Sequence, residues 1–296
     1  MLLFHYPFML PALAVCLLLA GIHSYFGNHI VQRGVIFVDL SLSQIAALGA
    51  SVALLFGWGD DSPYRAFGVS LGFTLGGAVL FAFLRRSQKT VPMEALIGIV
   101  YAGAIACALL VLEKSATGTE HIKEMLVGTI LTVSWHDVVQ LGIVVLIVAV
   151  IHLLSFKRMF FISANPELAA RQKLKLWWWD IVFYATFGVA VTLSVKVAGV
   201  LLIFSLLVIP AVAATMSLGG TMRRLIFGWV FGSLGCLLGL EASLRADAAA
   251  GPSIIATRLA LLLICVAGSF LMRRMRKTPR SRPSPEPRPT GGGLAA

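Results

Sequence analysis

Runs of around twenty apolar residues recur along this chain, and they constrain its fold more than any other feature. They fall at roughly 7–26, 31–56, 65–84, 93–112, 137–155, 177–197, 199–217, 224–244 and 253–272. A helix of about 20 residues spans the hydrocarbon core of a bilayer. With no water inside the bilayer, the backbone must satisfy its own hydrogen bonds, which a helix does. The pattern therefore predicts an all-α polytopic membrane protein with about nine transmembrane helices, eight to ten at the limits. Composition agrees: 58% of residues are hydrophobic and 12% charged, against roughly 25% charged in soluble domains. A further apolar piece, 122–133, is too short to cross and reads as a re-entrant or interfacial helix. Segment 8–20 lacks the basic flank and small-residue cleavage site of a cleavable signal peptide. Residues 1–272 read as the transmembrane domain. Residues 273–296 read as a basic, Pro/Gly-rich disordered tail.

The formal net charge of +11 does not point to nucleic acid, because the tail and the loops carry most of it. With the N-terminus outside, Arg33, Arg85, Arg86, Lys89, Lys157, Arg158, Arg171, Lys173, Lys175, Arg223, Arg224 and the tail cations lie inside. Arg65, Lys114, Lys123, Lys196, Arg245 and Arg258 then lie outside or within spans. The excess of inside cations supports this orientation, an odd number of spans and a cytoplasmic C-terminus.

The second run, read over 33–58, carries Asp39, Ser41, Ser43, Gln44 and Ser51 where lipid-facing sequence is aliphatic. On a regular helix Asp39, Ser43, Ala46 and Ala50 share a face. Gln44 sits about 140° from Asp39. All the polar groups converge only if the helix breaks near Ser41 or Gly49, as discontinuous transporter helices do. Two readings stand open. The polar face lines a permeation path, which is the usual meaning of an intramembrane acid. Alternatively it is a helix–helix contact whose serines bond back to carbonyls.

Enzyme signatures are missing: no G-x-x-x-x-G-K-[ST] and no H-E-x-x-H occur. The six histidines are scattered, and His152, near the inner end of a span, suits a structural hydrogen bond better than metal ligation. Cys16, Cys107, Cys236 and Cys265 lie in apolar runs without metal-type spacing and read as small core residues.

One cytoplasmic loop carries a helix start signal, with Asn165 as N-cap, Pro166 at N1 and Glu167 in the first turn. Leu168 and Ala169 give this short helix, which extends to Arg171, a small apolar side; it either docks into a partner's groove or is a surface loop helix with no partner. Pro210 kinks its span and frees a carbonyl. Glu241, Ser243, Arg245 and Asp247 form a polar outer corner, where Asp247 is placed to pair with Arg245 or to line a vestibule. Glu94 reads as a first-turn acid that complements the helix dipole. Gly68, Gly72 and Gly76, the pair Gly228 and Gly232, and the pair Gly235 and Gly239 mark close-packing faces, within the subunit or between subunits.

Taken together, these residues resemble the ABC-3 family of permeases, the membrane subunits of bacterial zinc, manganese and iron ABC importers. The likeness runs over nearly all of 8–272. Its strongest piece is 196–214, Lys196 through Pro210 to Ala214, similar to the family block K-x-V-G-x-L-L-x-x-x-L-L-x-x-P-A-A-x-A. The turn 249–253, the Glu94–Gly98 span start and the Ser163–Ala169 loop resemble further family motifs. The resemblance implies that 163–175 is a coupling helix contacting a cytoplasmic ABC ATPase, which carries the ATP. It also implies an extracytoplasmic solute-binding protein and a permease homodimer in the bacterial inner membrane. The family's second span reads G-D-x-x-S-H-A-x-x-x-G; here Gln44 stands for its histidine and Asp39 lies one residue out of register. The family's later G-D reads Gly128-Thr129.

The expectation is a multi-pass permease that imports a divalent metal ion (zinc, manganese or iron) and binds no cofactor tightly. Asp39, Ser43, Gln44 and Glu241 form its translocation path, with Asp39 as the candidate metal ligand. Asn165, Pro166, Glu167, Leu168 and Arg171 couple it to the ATPase. The alternatives are a permease for a metal chelate or small organic solute, and a membrane scaffold that transports nothing.

Overall fold

Each apolar run becomes a helix whose ends fall where glycine, proline or charge interrupts it. The computed structural model describes residues 5–58, 62–85, 91–113, 128–172 and 174–276. In chain order the helices are α1 (Met9–Arg33), α2 (Val38–Leu55), α3 (Pro63–Leu84), α4 (Met93–Leu112), α5 (Trp135–Leu154), α6 (Phe156–Ala164), α7 (Pro166–Arg171), α8 (Leu176–Ala198), α9 (Val200–Ser217), α10 (Thr221–Ala246) and α11 (Ala250–Arg276). Among the described residues nine are long and apolar enough to cross a membrane: all but the short α6 and α7. Of the piece 122–133, the described part holds a 3-10 turn, Ile130–Thr132; 122–127 and the tail beyond Arg276 lie outside the described residues.

The first two spans are divided differently from the sequence expectation. α1 continues to Arg33, and α2 begins only at Val38. Gly34 sets this boundary. It takes φ +66°, and Val35 N–H reaches back to the Ile30 carbonyl (3.2 Å) while Gly34 N–H bonds Val31 (3.3 Å). This is a Schellman-type closure, for which glycine has no steric penalty. α2 then runs unbroken through Ser41 and Gly49. The break that would bring all its polar groups together is absent.

Successive spans alternate in direction between two faces of the bundle. The near face is where α1 begins; the far face holds its end, Arg33, together with α6, α7 and the α9–α10 turn. Two groups of helices build the bundle. α2 packs on α3 and α4, with α8 closing over α3; α1 packs on α9 and α10, with α11 against α9 and α10. α5 sits outside α1 and α8. α1 and α2 are the most buried spans, whereas α4, α5 and α11 present much of their surface outward. Ile99, Leu146 and Leu263, 61–68% exposed, lie on these outer helices, as befits side chains that face acyl chains.

Lipid is as apolar as leucine, so close van der Waals fit must hold such helices together. Glycine provides it at chosen points. A Cβ on Gly49 would fall 2.7 Å from Ser70 Cα, and one on Gly239 would fall 2.5 Å from Ile254 Cα. Gly27 lets α1 ride on the α9 backbone at Leu207, one turn before Pro210. Gly228 and Gly232 of α10 receive Pro210 itself. The α10 glycines therefore serve packing within the subunit. Gly68, Gly72 and Gly76 do not: no described atom lies within 4 Å of a Cβ built on them. α8 ends and α9 begins at Gly199 (φ +77°). Against that break rests Gly128 (φ +74°), where any side chain would overlap the Ala198 backbone, while Thr129 N–H donates to Val197 (3.2 Å).

Candidate functional site

The polar residues of α2 divide between two roles. Ser41 Oγ donates to the Ile97 carbonyl of α4 at 2.8 Å, and Ser51 Oγ donates back to Ala47 at 2.9 Å. Both are helix-contact serines. Asp39 and Ser43, one turn apart on the same face, are fully buried, and neither Asp39 carboxylate oxygen nor Ser43 Oγ has a hydrogen-bond partner. Asp39 lies in the first turn of α2, at the far-face end of that helix. Gln44 is also buried, but on the continuous helix it is rotated about 100° from Ser43, off the face that Asp39 and Ser43 share.

Glu241 lies elsewhere. It sits near the C-terminal, near-face end of α10, while Asp39 is at the far-face end of α2. Arg245 donates to its Oε1 from Nη2 (2.9 Å) and Nε (3.1 Å). Arg245 thus pairs with Glu241, one turn back, and not with Asp247. Asp247 instead terminates α10 in the left-handed conformation at φ +48°.

A second buried polar group lies at the far face, and the sequence reading overlooked it. Asp180, 3% exposed on α8, accepts from Arg33 Nη1 at 3.0 Å and pairs with Arg85 at the end of α3. Arg33 also donates from Nε to Ser163 Oγ (2.9 Å), which His29 Nδ1 contacts at 2.8 Å. Its guanidinium lies 3.8 Å above the Phe183 ring. A single acid inside the aromatic–aliphatic run 176–198 was the available signal, because an intramembrane carboxylate seldom lacks a partner or a role. Glu94 does more than complement a dipole: its Oε1 accepts the Ile36 N–H at 2.6 Å, tying the α1–α2 turn to α4. His152 has structural bonds, to Tyr25 Oη (3.0 Å) and Thr186 Oγ1 (2.7 Å).

The loop helix α7 starts at Pro166, as expected, with Glu167 in its first turn. Asn165 occupies the N-cap position but makes no capping bond through its side chain. Its backbone carbonyl instead accepts from Ala169 N–H (3.0 Å). Ala169 is buried and anchors the helix, while Pro166, Glu167, Leu168 and Arg171 are exposed. Ser163, immediately upstream, connects this outward face to Arg33. Arg33 reaches Asp180 on α8, and Asp180 pairs with Arg85 at the end of α3, the helix on which α2 packs. Among the described residues no three His, Cys, Asp or Glu side chains cluster as a ready-made metal site.

Known proteins place this architecture. The chain is 25% identical to the high-affinity zinc uptake system membrane protein ZnuB of Haemophilus influenzae, over 92% of this chain and 98% of that protein. It is 24% identical to the manganese transport system membrane protein MntB of Synechocystis sp., over 95% of this chain and 90% of the relative. The fold matches that of PsaBC from Streptococcus pneumoniae, solved in complex with Fab, with a TM-score of 0.75 and 20% identity, over 89% of this chain and 92% of the other. The model of the ABC 3 transport family matches residues 5–269. The chain belongs to the ABC-3 transport family, as a multi-pass membrane permease subunit and not an enzyme.

Proposed function

We propose that this chain is the permease of an ATP-driven importer that passes a divalent metal ion, zinc, manganese or iron, into the cytoplasm. The observation that carries the reading is the Asp39–Ser43 pair, fully buried with its oxygens unpartnered. An ionised carboxylate without a partner is costly in a protein interior, and a passing cation would relieve that cost. One carboxylate and one hydroxyl bind such an ion weakly, as transport requires, since the ion must leave as readily as it enters. The names of the relatives, a zinc uptake and a manganese transport protein, support this choice of cargo.

In this reading the near face is extracytoplasmic and receives a solute-binding protein close to Glu241. The far face is cytoplasmic, and the tail from 273 extends from it. A separate ABC ATPase docks on Asn165, Pro166, Glu167, Leu168 and Arg171 and carries the ATP; two permease copies complete the assembly in the bacterial inner membrane. The chain binds no cofactor tightly. A second reading, a chelate or small organic solute as cargo, is favoured by the absence of a three-ligand cluster among the described residues and by Gln44 in place of an imidazole.

The test is ATPase stimulation of the reconstituted complex of permease, ATPase and binding protein by zinc, manganese or iron. The reading expects one metal to stimulate and Asp39→Ala to abolish the response. An assembled complex that answers no metal overturns the metal reading in favour of the second one.

A further inference from the structure

An apolar slot of about 340 Å³ opens on the outer surface between α1, α5 and α10, a volume within the roughly 300–1,000 Å³ of small-ligand pockets. Leu17, Gly21, Ala149, Leu153, Phe156 and Trp229 line it. Leu153 is 74% exposed and Trp229 53%, so the slot faces the bilayer and not the bundle interior. The polar groups at its floor are already used. Thr186 Oγ1 donates to Val182 (2.7 Å), His152 Nε2 contacts Thr186, and Tyr25 Oη contacts His152 Nδ1. Apart from the Trp229 indole N–H, the rest of the lining is apolar and suits a hydrocarbon chain.

The far-face end of the slot has a different character. Phe156 lines the slot and starts α6, and the next two residues, Lys157 and Arg158, are exposed. No carboxylate among the described residues pairs with either. Arg158 lies 5.7 Å from the Trp179 ring, and Trp177 and Trp178 beside it are 41% and 56% exposed. Tryptophans of this kind collect at headgroup level. A basic pair there attracts anionic lipid headgroups. α6 buries Met159, Phe160 and Ile162, so it is held against the bundle with the two exposed cations one and two residues beyond Phe156.

We propose that this slot binds one anionic glycerophospholipid, with an acyl chain along Gly21, Ala149 and Trp229 and the headgroup phosphate on Lys157 and Arg158. Its place in the cytoplasmic leaflet rests on the orientation proposed above; the binding itself does not.

The experiment is native mass spectrometry of the full chain, purified in detergent and titrated with phosphatidylglycerol or phosphatidylcholine, without metal or nucleotide. Failure here therefore leaves the transport reading untouched. One phosphatidylglycerol per chain should be retained over phosphatidylcholine by roughly 25-fold, about fivefold for each cation near a membrane surface. Lys157→Gln with Arg158→Gln should erase that preference. Ala149→Trp, placed at an exposed position, should displace the lipid, whereas Leu146→Trp on the open outer face of α5 should not. Equal retention of the two lipids overturns the proposal, as does a preference that survives the double substitution or Ala149→Trp. Disulfide cross-linking of two copies through Ala149→Cys also overturns it, because a second subunit then covers the slot. If Ala149→Trp fails to fold, the double substitution on the exposed cations decides.

Discussion

Ser41 and Ser43 are two residues apart on one helix and look alike in the sequence, yet their surroundings give them different work. Ser41 Oγ is bonded to Ile97, whereas Ser43 Oγ is unpartnered beside Asp39. Ser41→Ala should cost about 1 kcal/mol of stability and leave metal-stimulated ATPase intact. Ser43→Ala should leave the melting temperature nearly unchanged and weaken the metal response severalfold; thermal melts and ATPase titrations separate the two. The helical repeat made Asp39 and Ser43 legible as one face, but no rule of spacing could say which serine α4 would claim. Asp180 was less legible still, since its partners come from α1 and the end of α3, 147 and 95 residues away respectively. Among the described residues, Asp180 is the only carboxylate paired with the buried Arg33 and the partly buried Arg85, and Asp180→Asn removes its charge. Breaking such a buried pair costs about 3–5 kcal/mol, so this variant should lose much of its thermal stability in detergent, and a wild-type melt would contradict the account.

At the scale of elements, the glycines show what sequence can and cannot place. Three of them at every fourth residue in α3 read as a packing face, yet a Cβ on Gly68, Gly72 or Gly76 would meet no described atom of another helix within 4 Å. The close approach of α2 to α3 instead uses Gly49, which no repeat marked. Gly49→Ala forces a Cβ to 2.7 Å from Ser70 Cα, and overpacking of this kind costs about 1–3 kcal/mol. Gly72→Ala should change monomer stability by less than about 0.5 kcal/mol; unfolding of the two variants side by side checks both. The spans themselves were legible from apolar length. Their first boundary was missed because Arg33 and Gly34 sit between two apolar stretches, and the glycine that ends α1 was read as part of the next helix. For α7, the proline and first-turn acid marked the start correctly, although the Asn165 side chain makes no cap. Leu168, 48% exposed, is the apolar point of its outward face. Leu168→Asp should leave the permease folded and lower its affinity for the ATPase by at least tenfold, an effect of about 1.4 kcal/mol, measured by co-purification and titration.

Across the whole molecule, the far face gathers the features that an ATPase-driven permease would use together. The outward face of α7, Ser163, the Arg33–Asp180–Arg85 group and the Asp39 end of α2 all lie there. Glu241 lies at the opposite face, so the residues expected along one path are at opposite ends of the bundle. This separation follows from chain direction, which the odd and even order of the spans already implied. The contacts between spans that turn this order into a site were not in the sequence. The central claim is that metal passes by Asp39. It is tested most directly by uptake of radioactive zinc, manganese or iron into proteoliposomes holding the complete transporter, with Asp39→Asn compared against Ser41→Ala. The account expects Ser41→Ala to transport at near wild-type rates and Asp39→Asn to lose uptake by at least tenfold while still assembled. Full uptake by Asp39→Asn would contradict it and remove this carboxylate from the path.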